Sequence, residues 1–317
     1  MMRKQKVLVT GAAGFIGSQL CERLMKKGYD CRGIDNMNSH LYDPILKAAR
    51  VQEMKLNLDV VDIRDFDQFA PKIVNFNPDV VVHLAALPGV RDSFGKEPEY
   101  HSNNIDGTQS LIEACKLLED PPKVIYASTS SVYGNTKTLP WTEDVIDGHQ
   151  LNAYSYTKYT NECQFKISGL NNIGLRFFTV YGPWGRPDMA LFKFPKNILE
   201  EKEIEVYNNG EMKRDFTYID DILDGIEIVM NSEEIESGEI FNIGRGKQVH
   251  LMDFVRAIEK NCGIEAKVKY LPRHPADALE TWSDTTKLQA LGYEPKVDVE
   301  TGIEKFFSWY KWYNGVN

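Results

Sequence analysis

From residue 7 to residue 243 the sequence alternates short, β-branched apolar runs with stretches of helical period, and few folds accommodate that alternation. The strand runs fall at 7–10, 31–35, 54–61, 80–84, 124–128, 174–178 and 240–243. Several are unbroken apolar runs, as strands covered on both faces are. Helices are predicted between them, over about 15–27, 104–118 and 153–168. In the first of these, Ile16, Leu20 and Leu24 form one stripe, and Gly28 marks the C-terminal stop. This order implies an α/β fold, a doubly wound parallel sheet with right-handed crossovers. After Phe178 the pattern changes. Segment 179–215 is rich in Gly, Pro and aromatics with one helix near 191–201, and another helix covers 220–230. The expected division is one parallel-sheet domain, 1–178 plus 216–245, and a smaller mixed α/β domain, 179–215 plus 246–317.

Composition narrows the function classes. The chain has 317 residues, 42% apolar and 26% charged, which suits a soluble globular protein. A net charge of -9 argues against nucleic acid as a partner. No run of about 18 apolar residues exists, so no membrane partner is expected. Residues 1–6 lead into the first strand without an apolar signal segment, so a cytoplasmic location is expected. Cys21, Cys31, Cys115, Cys163 and Cys262 form no close pairs and read as small buried hydrophobes in a reducing compartment. No metal site is expected.

Gly11-Ala12-Ala13-Gly14-Phe15-Ile16-Gly17 joins the first strand to the first helix. Glycines there permit a tight turn and let backbone approach a pyrophosphate lying on the helix N-terminus. Gly11, Gly14, Phe15, Ile16 and Gly17 are therefore candidate dinucleotide contacts. The second strand ends at Asp35, eighteen residues after Gly17. A carboxylate at that place accepts from both adenosine ribose hydroxyls and repels a 2′-phosphate, which favours NAD over NADP. Asp62 and Ile63 follow the third strand, where they either meet the adenine edge or form an ordinary strand end.

Tyr154-Ser155-Tyr156-Thr157-Lys158 carries the chemistry. In a chain with 15 tyrosines, a Tyr-x-x-x-Lys match arises about once by chance. A second match does occur, Tyr133-Gly134-Asn135-Thr136-Lys137, but it lies in a turn that cannot align its ends. Tyr154 and Lys158 sit in a helical stretch, where residues i and i+4 share a face. Tyr156 is expected on the opposite face, packed. A free phenol has a pKa of about 10. An adjacent ammonium and a positive nicotinamide ring both favour the phenolate. Tyr154 can then take a proton from an alcohol while hydride passes to NAD.

With these motifs the chain resembles the extended short-chain dehydrogenase/reductases of the NAD-dependent epimerase/dehydratase family, over essentially its whole length. The resemblance implies a Rossmann domain binding NAD. It implies that Tyr154 is the acid/base and that Lys158 binds the nicotinamide ribose and tunes Tyr154. Leu84-Ala85-Ala86 and Ser128 would line the cofactor, and Asn104, in Asn103-Asn104-Ile105-Asp106-Gly107-Thr108, would be a strut behind the site. Family members are usually homodimers packing two helices from each subunit, here about 104–118 and 153–168.

The reaction class rests on Ser128-Thr129-Ser130-Ser131. Family dehydratases carry an Asp-Glu pair where Ser130 and Ser131 stand, and two serines cannot move those protons at neutral pH. Decarboxylating relatives tend to place a glutamate here. Thr129, Ser130 and Ser131 join the catalytic set. Three stretches are similar to relatives that invert C4 of a UDP-hexuronic acid: Pro88-Gly89-Val90-Arg91-Asp92-Ser93, the segment from Leu175 to Ala190, and Lys213-Arg214-Asp215-Phe216. That likeness makes Pro88, Arg91, Ser130, Thr179 and Arg186 substrate candidates. Arg214 is a candidate for the diphosphate, or else pairs with Asp215 at the surface. Asp277 would lie near the UDP ribose, and Phe192 or Lys193 would cover uracil. A uronate oxidised at C4 is a β-keto acid, so hydroxyls from Ser130, Ser131 and Thr179 would restrain its carboxylate. A UDP-glucuronate decarboxylase, a neutral UDP-sugar 4-epimerase and a non-catalytic NAD-binding regulator remain alternatives.

Overall fold

Parallel strands form the centre of the protein, here a computed structural model that describes residues 3–146, 148–275 and 277–315. The first two residues of the N-terminal stretch lie outside that description. In chain order the elements begin β1 (Lys6–Thr10), α1 (Phe15–Lys26), β2 (Asp30–Asp35), α2 (Ile45–Glu53), β3 (Leu58–Val60), α3 (Phe66–Phe76) and β4 (Val80–His83). Next come α4 (Glu97–Tyr100), a π-helical turn (His101–Asp106), α5 (Gly107–Lys116), β5 (Lys123–Thr129), a 3-10 turn (Ser130–Tyr133), α6 (Ala153–Ile167) and β6 (Asn172–Phe177). The remainder holds β7 (Thr179–Tyr181), α7 (Ala190–Leu199), β8 (Glu203–Tyr207), β9 (Lys213–Arg214), β10 (Phe216–Tyr218), α8 (Ile219–Asn231) and β11 (Glu239–Ile243). It closes with β12 (Val249–His250), α9 (Leu251–Cys262), β13 (Lys267–Leu271), α10 (Thr286–Gln289) and α11 (Val299–Asn314).

Seven strands form one sheet in the order β11-β6-β5-β4-β1-β2-β3. Val7 pairs in parallel with Cys31 on one side and with Val80 on the other. The doubly wound α/β reading is borne out. Strand order reverses at β1, between β2 and β4, the place where such sheets bind ligands at their carboxyl ends. Leu8, Ile34, Val81 and Val124 meet Phe69, Ile73, Leu111, Ile112 and Phe165 in one apolar cluster. Tyr126 stacks on Phe165 with ring centroids 4.1 Å apart. By residue contacts the chain forms two compact units: 1–134, 146–176 and 226–241 in the first, and 135–145, 177–225 and 242–317 in the second.

Three local expectations change. The run predicted as a strand over 54–61 is strand only at Leu58–Val60. Met54 and Lys55 instead close α2, with Met54 N donating to Arg50 O and Lys55 at φ +51°. Tyr156, expected to be packed, is 46% exposed, its ring 5.4 Å from that of His101. Cys163 is exposed and Cys262 half-buried, while Cys21, Cys31 and Cys115 are buried as expected.

The second unit has short paired strands around an aromatic core. β7 runs parallel to β10, β8 parallel to β13, and β9 antiparallel to β12. Phe216 stacks on Phe254 at 4.1 Å, and Trp184 meets Trp309 at 5.1 Å. Asp215 is fully buried, so it makes no surface pair with Arg214; its carboxylate accepts from the amides of Arg245, Gly246 and Ser283.

Candidate active site

The turn after β1 is shaped by contacts that only glycine tolerates. Gly11 has φ +71°, and a Cβ there would lie 2.8 Å from the backbone of Leu84 and Ala85. At Gly17 a Cβ would lie 2.3 Å from Gly11 O. Strand end, turn and helix therefore close on one another without side chains. Gly14 N-caps α1 with no side-chain hydrogen bond, and the first turn contains no acid. Such a terminus suits a pyrophosphate. Phe15 is buried in the fold, and Ile16 is half-buried.

Asp35 closes β2, facing this turn. Its Oδ2 accepts from Ala13 N at 3.2 Å, and its Oδ1 accepts from Met37 N at 2.8 Å and from Lys47 Nζ at 3.3 Å. Arg50, fully buried, donates to Ala13 O at 3.0 Å and to the Tyr42 hydroxyl at 2.9 Å. Asp62 is already engaged: Arg64 holds it from both oxygens, and Asn36 donates to Oδ2. The Arg64 guanidinium is the main reason its pKa falls to about 2. Ile63 is buried against Gly107, where a Cβ would lie 2.7 Å from its Cδ1.

Leu84, Ala85 and Ala86 leave β4 half-exposed. Ala85 N donates to Thr10 Oγ1 at 3.2 Å, and that hydroxyl is hydrogen-bonded to His83 Nδ1 at 2.7 Å. The other ring nitrogen, Nε2, is hydrogen-bonded to Thr108 Oγ1 at 3.0 Å. Burial lowers its pKa to about 3, so the ring is neutral. Pro88 O accepts from the Tyr100 hydroxyl at 2.8 Å, and Arg91 is exposed.

Tyr154 lies in the first turn of α6, which Asn152 caps by accepting from Ser155 N at 2.8 Å. Its ring meets Tyr100 edge-on at 6.5 Å. Lys158 follows one turn later and is 2% exposed. Burial lowers its pKa to about 8, against the opposing charge of Glu162. Asn104, fully buried in the π turn, takes Leu87 N on Oδ1 at 2.7 Å. Thr129 Oγ1 caps the turn after β5, accepting from Ser131 N at 3.2 Å, while Ser130 and Ser131 are half-buried. Ser128 donates to Glu162 Oε1 at 2.5 Å. The rejected tyrosine, Tyr133, is fully buried in the 3-10 turn.

In the second unit Thr179 opens β7, its N–H donating to Asp215 O at 3.1 Å. Arg186 donates from Nε and Nη2 to the two carboxylate oxygens of Asp188. Arg214 donates to the carbonyls of Lys213, Ala278 and Leu279, which fixes its fork in place. Phe192 packs against Phe306, Trp309 and Tyr310, and Lys193 beside it is exposed. Asp277 O accepts from Arg273 at 2.9 Å.

Residues 7–244 match the NAD dependent epimerase/dehydratase family. The chain belongs to that family. An uncharacterized protein of Methanocaldococcus jannaschii is 43% identical over 98% of this chain and 97% of its own length. UDP-glucuronate 4-epimerase 4 of Arabidopsis thaliana is 38% identical over 98% of this chain and 76% of its own. The crystal structure of UDP-glucuronic acid 4-epimerase from Bacillus cereus, in complex with UDP-glucuronic acid and NAD, is 38% identical. It superposes with a TM-score of 0.90 over 98% of this chain and 100% of that one. NAD is the cofactor of the family, and the uncapped α1 terminus, the glycine turn and Asp35 fit it.

Sequence reasoning missed Lys47, Arg50, Glu162 and Arg176. Lys47 and Arg50 sit three apart on one helical face, so they could have been read as a pair, but no apolar stripe announced their helix. Glu162 stands four residues after Lys158, in register with Tyr154 and Lys158. Arg176 carried no local signal.

Proposed function

We propose that this protein is a UDP-glucuronate 4-epimerase, interconverting UDP-glucuronate and UDP-galacturonate. The full-length likeness to the Bacillus cereus enzyme carries this reading. The residues give it a chemistry. Tyr154 and Lys158 share a face of α6 and can exchange a proton with a carbinol. Ser130 and Ser131 offer no carboxyl for dehydration.

NAD, when bound, takes the hydride from C4 and returns it. Gly11, Gly14 and Gly17 would hold its pyrophosphate, and Asp35 its adenosine ribose. Ser128, Leu84, Ala85 and Ala86 are assigned to its lining, and Asp62 and Ile63 to its adenine end. Tyr154 accepts the C4 hydroxyl proton as the 4-keto sugar forms, and gives it back after the sugar has turned. Lys158 holds the ribose and favours the phenolate by its charge. Thr129 fixes the turn that presents Ser130 and Ser131. With Thr179, these hydroxyls are assigned to the C6 carboxylate. Loss of CO₂ needs the C5–C6 bond aligned with the carbonyl π system, and hydrogen bonds that hold the carboxylate out of that alignment protect the intermediate. Pro88, Arg91, Arg186, Phe192, Lys193, Arg214 and Asp277 are assigned to the rest of the nucleotide sugar.

The same reading makes the protein a cytoplasmic homodimer. Its five free cysteines suit a reducing compartment. Ile167 on α6 is 85% exposed and Leu117, after α5, is 58% exposed, which gives two helix ends apolar surface to bury. The deciding experiment is incubation of purified protein with UDP-glucuronate without added reductant, followed by separation of the sugar nucleotides. UDP-galacturonate approaching a fixed ratio supports the reading. UDP-xylose as product, or turnover of UDP-glucose alone, refutes it. Tyr154→Phe should abolish turnover and leave NAD bound.

A further inference from the structure

Behind the catalytic helix lies a buried ion pair that the proton transfer does not use. Glu162 on α6 is 6% exposed, and Arg176 on β6 is 3% exposed. Arg176 Nε donates to Glu162 Oε1 and Nη2 to Oε2, each at 2.9 Å. Ser128 supplies a third hydrogen bond to Oε1. Arg176 Nη1 donates to the Tyr133 hydroxyl at 3.0 Å, and its guanidinium lies 5.0 Å from the centre of that ring.

A buried pair of this kind is a poor source of stability, because apolar residues of the same volume avoid its desolvation cost. Its location is more informative. Glu162 is one helical turn beyond Lys158, on the same face of α6. Lys158 is itself buried, and the carboxylate charge opposes the loss of its proton. Tyr154 lies on the preceding turn, His83 faces Lys158 from the sheet side, and Tyr126 on β5 faces the Glu162–Arg176 pair. His83 is neutral with both nitrogens hydrogen-bonded to threonine hydroxyls, so it contributes no charge.

We propose that Glu162 is a positioning residue that keeps Lys158 protonated, and that Arg176 sets how much of the Glu162 charge Lys158 feels. The proposal rests on the assigned role of Lys158 beside Tyr154. It gives a three-part control. Ser128, at the end of β5, and Arg176, on β6, orient the carboxylate; the carboxylate biases the ammonium; the ammonium biases the phenol. Without Glu162 a buried Lys158 sheds its proton nearer neutral pH, and Tyr154 loses the charge that favours its phenolate.

The test follows the Lys158 ammonium by ¹⁵N NMR in NAD-bound protein, assigned by its loss in Lys158→Met, alongside the pH profile of kcat. Glu162→Gln should lower the Lys158 pKa by about one unit, as expected for a removed opposite charge. The alkaline fall of kcat should shift with it. Arg176→Met should move both upward, because the Glu162 charge is then unopposed, and Glu162→Gln/Arg176→Met should fall between. Glu162→Asp should restore a profile near that of the parent. A purely structural pair predicts loss of melting temperature with no change in titration. Unmoved Lys158 titration in Glu162→Gln, or shifts of one sign in both single variants, would overturn the proposal. Glu162→Gln preserves volume, so it decides alone should Arg176→Met not fold. The NMR readout needs no sugar nucleotide and stands whatever the substrate proves to be.

Discussion

Asn104 and Thr157 meet at 2.9 Å, the buried amide Nδ2 donating to the hydroxyl on the turn between Tyr154 and Lys158. The same amide group also donates to Leu87 O at 3.1 Å, and Asn161 donates back to Asn104 O at 2.8 Å. One side chain thus ties the loop after β4 to the catalytic helix. Asn104→Ala leaves Leu87 N buried and without its acceptor. The expected loss is about 3 kcal/mol, read from urea unfolding. An unchanged midpoint would remove Asn104 from the support of α6.

Lys158 makes stability depend on pH in a definite direction. Its pKa falls from 10.5 in the unfolded chain to about 8 in the fold, so the fold disfavours the charged form. The favourable contribution is complete above 10.5 and is lost as pH falls through 8. Cofactor-free Lys158→Met should therefore be more stable than the parent at pH 7, by on the order of 3 kcal/mol, with the gap closing toward pH 10.5. A gap that stays constant with pH contradicts the assignment.

With Asp35 assigned to the adenosine ribose, Asp35 and its partner Lys47 are expected to set the cofactor preference together. Asp35→Ser removes the carboxylate that repels a 2′-phosphate and leaves the Lys47 ammonium without its partner. Calorimetry on cofactor-free protein should show NAD affinity falling about 10-fold or more, as one charge-assisted hydrogen bond is lost. NADP affinity should rise. Asp35→Ser/Lys47→Met should lose the gain in NADP affinity.

Ser130→Ala and Thr179→Ala should leak. During turnover of UDP-glucuronate each should release CO₂ and form a UDP-pentose, while the parent releases none. Clean epimerisation by both variants would end the carboxylate-restraint assignment.

Ile167→Glu and Leu117→Glu place a charge on each proposed dimer helix. Light scattering should show the mass halving at micromolar concentration. A parent protein that is already monomeric would refute the homodimer directly.

The sheet was legible because β1, β4 and β5 are largely buried and each holds a run of Val, Ile or Leu: Val7-Leu8-Val9, Val80-Val81-Val82 and Val124-Ile125. α2 was not. Its inward face presents Lys47 and Arg50 beside Leu46, so periodicity has no apolar stripe to detect. Met54 and Leu56 then imitated a strand while serving as a helix stop. Tyr154 and Lys158 could be chosen over Tyr133 and Lys137 because the first pair sits in a helical stretch and the second in a turn. Glu162 and Arg176 could not be joined in advance: the one lies on a helix and the other on a strand, and only the crossover brings them together. The exposure of Tyr156 was missed because a helix face opposite the site is not thereby covered.

The π turn from His101 to Asp106 carries one more residue than an α turn would. Each residue of an α-helix rotates the chain by about 100°. Deleting one residue there would let the turn close as an ordinary α turn, and Asn104 inside it would lose its place between Leu87 and Thr157. Chain length is therefore constrained at 101–106 together with the identity of Asn104. A homologue that keeps the Asn104 tie should also keep the number of residues in this turn.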